Sequence, residues 1–264
     1  MNASISTLKH GLRTLAAAAA IAAAGTGFAQ AANAANAAQP SVVIVHGAFA
    51  DGSDWAKVIP LLQAKGIKVT AVQNGLTSLA DDVAAPKRAI DNQPGKVVLV
   101  GHSWGGTVIT EAGAGDKVAS LVYVAAFAPD AGQATSDLGK DLPPAPGITK
   151  LAVDKAGFAS LPPLVLKEDF AQDVPAPQAA VMAATQGPIA VKAFGDKTTV
   201  AAWRKHPSWY IVSKNDRMIQ PDLERCFAKA IGAKMTELPT SHVPQQSRPA
   251  DVANVILEAV AASK

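Results

Sequence analysis

The run VVLVGHSWGG, residues 97–106, decides how this chain is read. Its apolar start is that of a strand, the following TVITEAGAG has helical spacing, and Gly101-His102-Ser103-Trp104-Gly105 therefore falls at a strand-to-helix turn. A serine at such a turn is forced into a strained conformation with its hydroxyl lifted above the strand, and flanking glycines remove the side chains that would collide there. The helix behind it aims its first amides at the point where negative charge on an oxygen would collect. Ser103 is the candidate nucleophile.

Outward from this turn the pattern alternates. SVVIV (41–45) reads as a strand buried on both faces, ending at His46-Gly47, and Trp55, Val58, Ile59 and Leu62 mark a helix over 55–64. Residues 67–72 form the next strand, and Ser78 with Asp81 opens a helix reaching residue 93. Further strands are expected at 118–126, 208–212 and 234–238, with Pro221 at a helix start and Ser247 capping a last helix through Val260. Cys226, the only cysteine, has Leu223 and Phe227 at helical spacing and is expected to be buried. Residues 128–199 break the alternation with PPAPG, LPP and VPAP. Phe158, Leu161, Leu164, Leu166, Phe170, Met182 and Phe194 give this stretch more apolar area than a solvated loop carries, so it reads as a cap inserted over the sheet. The expected fold class is α/β: a mainly parallel sheet of about six strands with flanking helices, and a site at the strands' carboxyl ends.

At the amino end, Lys9 and Arg13 precede an alanine-rich apolar run, and Gly27-Phe28-Ala29 offers a small-residue cleavage site. Residues 1–29 therefore read as a signal peptide, too short in its apolar run to anchor in a membrane, and 30–40 as a leader before a domain over 41–264. Export to the periplasm or medium follows from that reading. The formal charge is +3, and Lys9 and Arg13 supply two of those charges, so nothing marks nucleic acid as a partner. No metal-ligand cluster or phosphate-cradling loop is visible in the sequence, and no cofactor is expected.

A serine nucleophile needs a base, and the base needs a group to hold its tautomer. Of the five histidines, His10 leaves with the signal peptide, His46 and His102 sit inside strand-end motifs, and His206 lies in a polar turn. His242, in the loop after the last strand, is the candidate base. Asp216, just past the 208–212 strand, is the candidate orienting acid and gives the chain order Ser, Asp, His; Asp130 at the cap entrance is the competitor. The oxyanion donors are expected to be the Trp104 amide and one from the loop after Gly47, namely Ala48 or, as the alternative, Phe49.

Three separated stretches, HGAFADGSDW, GHSWGG and SKNDRMI with SHVPQQSRP, agree in order and position, and together they resemble the α/β-hydrolase superfamily over residues 41–263. The likeness is to its small esterases, a branch that includes plant methyl-ester hydrolases and hydroxynitrile lyases. The resemblance implies Ser103, Asp216 and His242 as a catalytic triad, Ala48 and Trp104 as oxyanion hole, an apolar acyl pocket beneath the cap, a small-molecule ester as substrate and no cofactor. There is no room before residue 41 for the superfamily's first two antiparallel strands, and Trp104 stands where leucine, methionine or glutamine is more usual.

Ester hydrolysis is the leading expectation. A lyase or a cofactor-free perhydrolase on the same triad is an alternative, and a catalytically weak small-molecule binding protein is another. The plant lyases carry a threonine and a lysine where this chain has Gly47 and Val243, which favours hydrolysis.

Overall fold

The apolar runs become strands because each has a helical layer on either side to bury its alternate residues. In a computed structural model describing residues 39–263, the chain forms β1 (Ser41–Val45), β2 (Val69–Ala71), β3 (Val97–His102) and β4 (Val118–Val124). After the cap come β8 (Ser208–Ser213) and β9 (Lys234–Leu238); the cap itself holds β5 (Ala152–Val153), β6 (Phe158–Ser160) and β7 (Ile189–Ala190). The main sheet runs β2-β1-β3-β4-β8-β9, and every pairing in it is parallel. The main helices are α1 (Ile59–Gln63), α2 (Leu79–Asp91), α3 (Trp104–Ala112), α4 (Ala176–Thr185), α5 (Pro221–Ala230) and α6 (Pro249–Ala262).

Side chains alternate across a strand, so each strand feeds two cores. Val43, Val45, Leu99, Leu121, Tyr123 and Tyr210 pack on one face with Val83 of α2, Val108 and Ile109 of α3, and Phe227 of α5. Val42, Ile44, Val98, Val100, Val122 and Ile211 pack on the other with Trp55, Leu62 of α1 and Val252, Ile256 and Val260 of α6. The strand order reverses between β1 and β3. A crevice opens at such a switch point, beyond the carboxyl ends of the strands, and here the loops after β1 and β3 line it.

The cap contributes to the first of these cores. Leu161, Leu166 and Phe170 are buried in it, whereas Leu164 is 65% exposed. Its antiparallel sheet β5-β6-β7 is absent from the sequence reading because strands of two or three residues leave no periodicity to detect.

Three local expectations are corrected. The helix over 55–64 is broken: Trp55 ends a 3₁₀ turn, Gly52–Trp55, and α1 starts afresh at Ile59, where Pro60 fits a first turn that needs no proline N–H. Ser247 does not cap α6. It ends a separate short helix, Pro244–Ser247, and α6 begins at Pro249 with no side-chain cap. Cys226 is exposed, because the inward face of α5 carries Glu224, Phe227 and Ala228 and Cys226 lies about 200° round the helix from Glu224. The signal-peptide and leader readings fall almost entirely outside the described residues. Among the described residues no helix is long and apolar enough to cross a membrane.

The turn after β3 is wedged against β1. A Cβ on Gly105 would lie 2.6 Å from the Val45 carbonyl oxygen, and one on Gly47 would lie 2.7 Å from the Ser103 Cβ. At Gly115 the same atom would meet nothing within 4 Å. Gly105→Ala should therefore cost about 1–3 kcal/mol or more through overpacking, while Gly115→Ala should stay near neutral. Thermal unfolding of both variants checks this, and equal transition temperatures would contradict the wedge.

Candidate active site

The β3 turn has the strain its sequence implies. Ser103 has φ 53° and ψ −121°, a left-handed conformation that non-glycine residues seldom adopt, and α3 begins at the next residue. The Trp104 amide thus belongs to the first turn of a helix, where no intrahelical acceptor exists. Across the crevice, in the loop after β1, the two donor candidates differ in their partners. Phe49 N–H donates to the Gly187 carbonyl at 3.2 Å, whereas Ala48 N–H meets no acceptor among the described residues.

His46 is drawn into this loop. Its ring accepts from Asn74 N–H at Nε2 (2.9 Å), so Nδ1 carries the proton and donates to the Gly47 carbonyl at 2.8 Å. Burial lowers the His46 pKa, consistent with a neutral ring. Fixing the Gly47 carbonyl fixes the peptide plane it shares with Ala48 N–H, which must point the opposite way.

Asp216 and His242 come together as the sequence pairing implies. The Asp216 Oδ2 accepts from His242 Nδ1 at 2.5 Å, and its Oδ1 accepts from the N–H groups of Met218 (2.6 Å) and Ile219 (2.9 Å). A carboxylate can only accept, so Nδ1 carries a proton, and in the neutral imidazole this makes Nε2 the acceptor. Both residues are buried. Ser103 and His242 line the same cavity. Asp130 is elsewhere: Arg204 forms an ion pair with it and holds its carboxyl below the ordinary range.

Several residues around this pair escaped the sequence reading. His102 donates from Nε2 to the His242 carbonyl at 2.8 Å; burial first, and then the nearby His242, press its pKa well down. Phe170, from the cap, meets the His242 ring edge to face at 5.0 Å between centroids, with the His102 ring 4.8 Å away. Cap carboxylates hold both catalytic-edge loops: Asp173 accepts from Ser241 N–H (2.8 Å), and Asp169 from Arg217 Nε (2.6 Å). Glu224 lies fully buried behind Asp216 and accepts from Ser213 N–H at 2.9 Å. Burial, and then the Asp216 charge, push its pKa well above the carboxylate range. A carboxyl on an otherwise amphipathic helix gives no sign of this in sequence.

The cavity over Ser103 has a volume of about 670 Å³. Its walls are mostly apolar, with Phe49, Phe127, Leu138, Phe194 and Met218 among them, and Lys140 and Lys192 are the charged residues that line it. Among the described residues no group of three or more His, Cys, Asp and Glu is placed to hold a metal.

Comparison with known proteins places the fold and the family. The chain is 27% identical over 247 residues to a pyrethroid hydrolase of Sphingobium wenxiniae, covering 82% of this chain and 86% of that one. It is 34% identical over 111 residues to a putative chloroplastic methylesterase of Arabidopsis thaliana, a match that spans 36% of this chain and only 28% of the plant protein. Among solved structures, polyneuridine aldehyde esterase superposes with a TM-score of 0.75 at 21% identity, over 83% of this chain and 98% of that one. At that identity the likeness speaks for the fold. A model of the alpha/beta hydrolase family matches residues 42–255, and the chain belongs to that family.

Proposed function

We propose that the protein hydrolyses carboxylic esters through an acyl-enzyme on Ser103. The observation that carries this reading is the buried His242–Asp216 hydrogen bond of 2.5 Å, with His242 lining the same cavity as the strained Ser103. Ser103 Oγ attacks the ester carbonyl as its proton passes to His242 Nε2, and the carbonyl π pair moves onto oxygen. Ala48 and Trp104 N–H groups receive that oxyanion; a single donor of this kind contributes about 2.7–4 kcal/mol to the transition state. The carbonyl re-forms, the alcohol departs with the proton from His242, and water repeats the sequence in reverse to free the acid and Ser103. Asp216 holds the imidazole in the Nδ1–H tautomer and offsets its charge while it carries both protons. The apolar walls suit an ester whose acyl or alcohol part is hydrocarbon rather than charged.

Ser103→Ala should lower turnover of p-nitrophenyl esters by about 10⁴-fold or more with an unchanged thermal transition. Retained turnover in the folded variant would contradict the serine mechanism. Asp216→Asn should cost far more activity than Asp130→Asn, since only the first disturbs the imidazole; steady-state kcat/KM of the two variants decides, and the reverse ranking would move the orienting acid to the cap entrance.

A further inference from the structure

The bulky residue after the nucleophile has a partner. Trp104 is fully buried, and its indole N–H donates to Asp82 Oδ2 at 2.7 Å. Asp82, on α2, is itself fully buried, and its Oδ1 accepts from Leu76 N–H at 2.7 Å. Each group would be an uncompensated polar burden in this core without the other.

The pair reaches the cavity through Phe194. The Trp104 and Phe194 rings meet edge to face, with centroids 5.4 Å apart at 85°, and both residues line the cavity. The segment carrying Phe194 hangs from the loop that Asp82 organises. Leu76, at φ 55°, accepts from Ala190 N–H at 2.8 Å, and Leu79 N–H donates to Asp196 at 2.9 Å. One carboxylate thus ties down the indole behind Phe194 and the loop from which the Phe194 segment is suspended at both ends.

We propose that Asp82 is a positioning residue that sets how long a hydrocarbon chain the cavity accepts beside Ser103, by holding the Trp104 indole against Phe194. This rests on the ester-hydrolase reading above. With the indole N–H unbound, the ring can turn and Phe194 can retreat, which lengthens the pocket without altering the backbone amide of Trp104.

The test compares kcat/KM for p-nitrophenyl butyrate and decanoate in the wild type, Asp82→Leu, which leaves the indole N–H no acceptor, Trp104→Phe and the double variant. Trp104→Phe keeps a ring and the amide but has no N–H to donate. Since one methylene in an apolar pocket is worth about 10–200-fold, each single variant should raise the decanoate-to-butyrate ratio about tenfold or more. The double variant should raise it no further, because both changes break one interaction. A purely structural role would lower stability and scale both esters alike. If Asp82→Leu fails to fold, Asp82→Asn, which leaves one of the Trp104 and Leu76 N–H groups without its acceptor, takes its place beside Trp104→Phe. A ratio within about twofold of wild type in Trp104→Phe, or single shifts that multiply in the double variant, would overturn the role of Asp82. A folded wild type that hydrolyses neither ester would instead overturn the hydrolase reading itself.

Discussion

The backbone at Ser103 is the constraint on which the rest depends. A left-handed serine costs about 1–3 kcal/mol and persists only where its surroundings leave no alternative. Here they leave none: β1 presses the Val45 carbonyl toward Gly105, Gly47 abuts the Ser103 Cβ, and Ser103 N–H donates to the Val124 carbonyl of β4 at 3.2 Å. The neighbouring strands that make the core also set the angle at which the hydroxyl leaves the sheet. That shared origin places the chemistry at the switch between β1 and β3, where the chain order reverses and two loops part.

The cap is part of the catalytic edge rather than a cover laid over it. Phe170 packs against His242, Asp173 holds the Ser241 amide, and Asp169 binds Arg217 beside Asp216. Lys150, also in the cap, pairs with the same Asp169 carboxylate at 2.7 Å. Losing the cap would therefore expose the cavity and also release the two loops that carry Asp216 and His242. Burial of Phe170 alone accounts for about 1.5–3 kcal/mol of that attachment.

The sheet and the pairing of Asp216 with His242 were legible in the sequence because their signals are local and strong. The valine-rich runs at 41–45 and 97–100 read as strands buried on both faces, and Ser103, Asp216 and His242 each follow the carboxyl end of a strand. What stayed hidden depends on contacts between distant segments. Nothing near Glu224 in sequence shows that α5 turns it toward Asp216, and the same rotation carries Cys226 to the surface against expectation. Phe170 reads as one more apolar residue in a proline-rich stretch until the cap folds back onto His242. The choice of Ala48 over Phe49 as free amide rests on Gly187, far along the chain, which takes the Phe49 N–H. The short strands of the cap carry too few residues for alternation to register.

The central claim is that Ser103 is a nucleophile activated by His242, and an active-site label tests it most directly. The protein is incubated with a fluorophosphonate, and the modified peptide is identified by mass spectrometry in the wild type, Ser103→Ala and His242→Ala. The account predicts one adduct per chain, on Ser103, absent from Ser103→Ala and formed far more slowly in His242→Ala. An adduct on another residue with Ser103 unmodified, or labelling of Ser103 at an undiminished rate without His242, would contradict it.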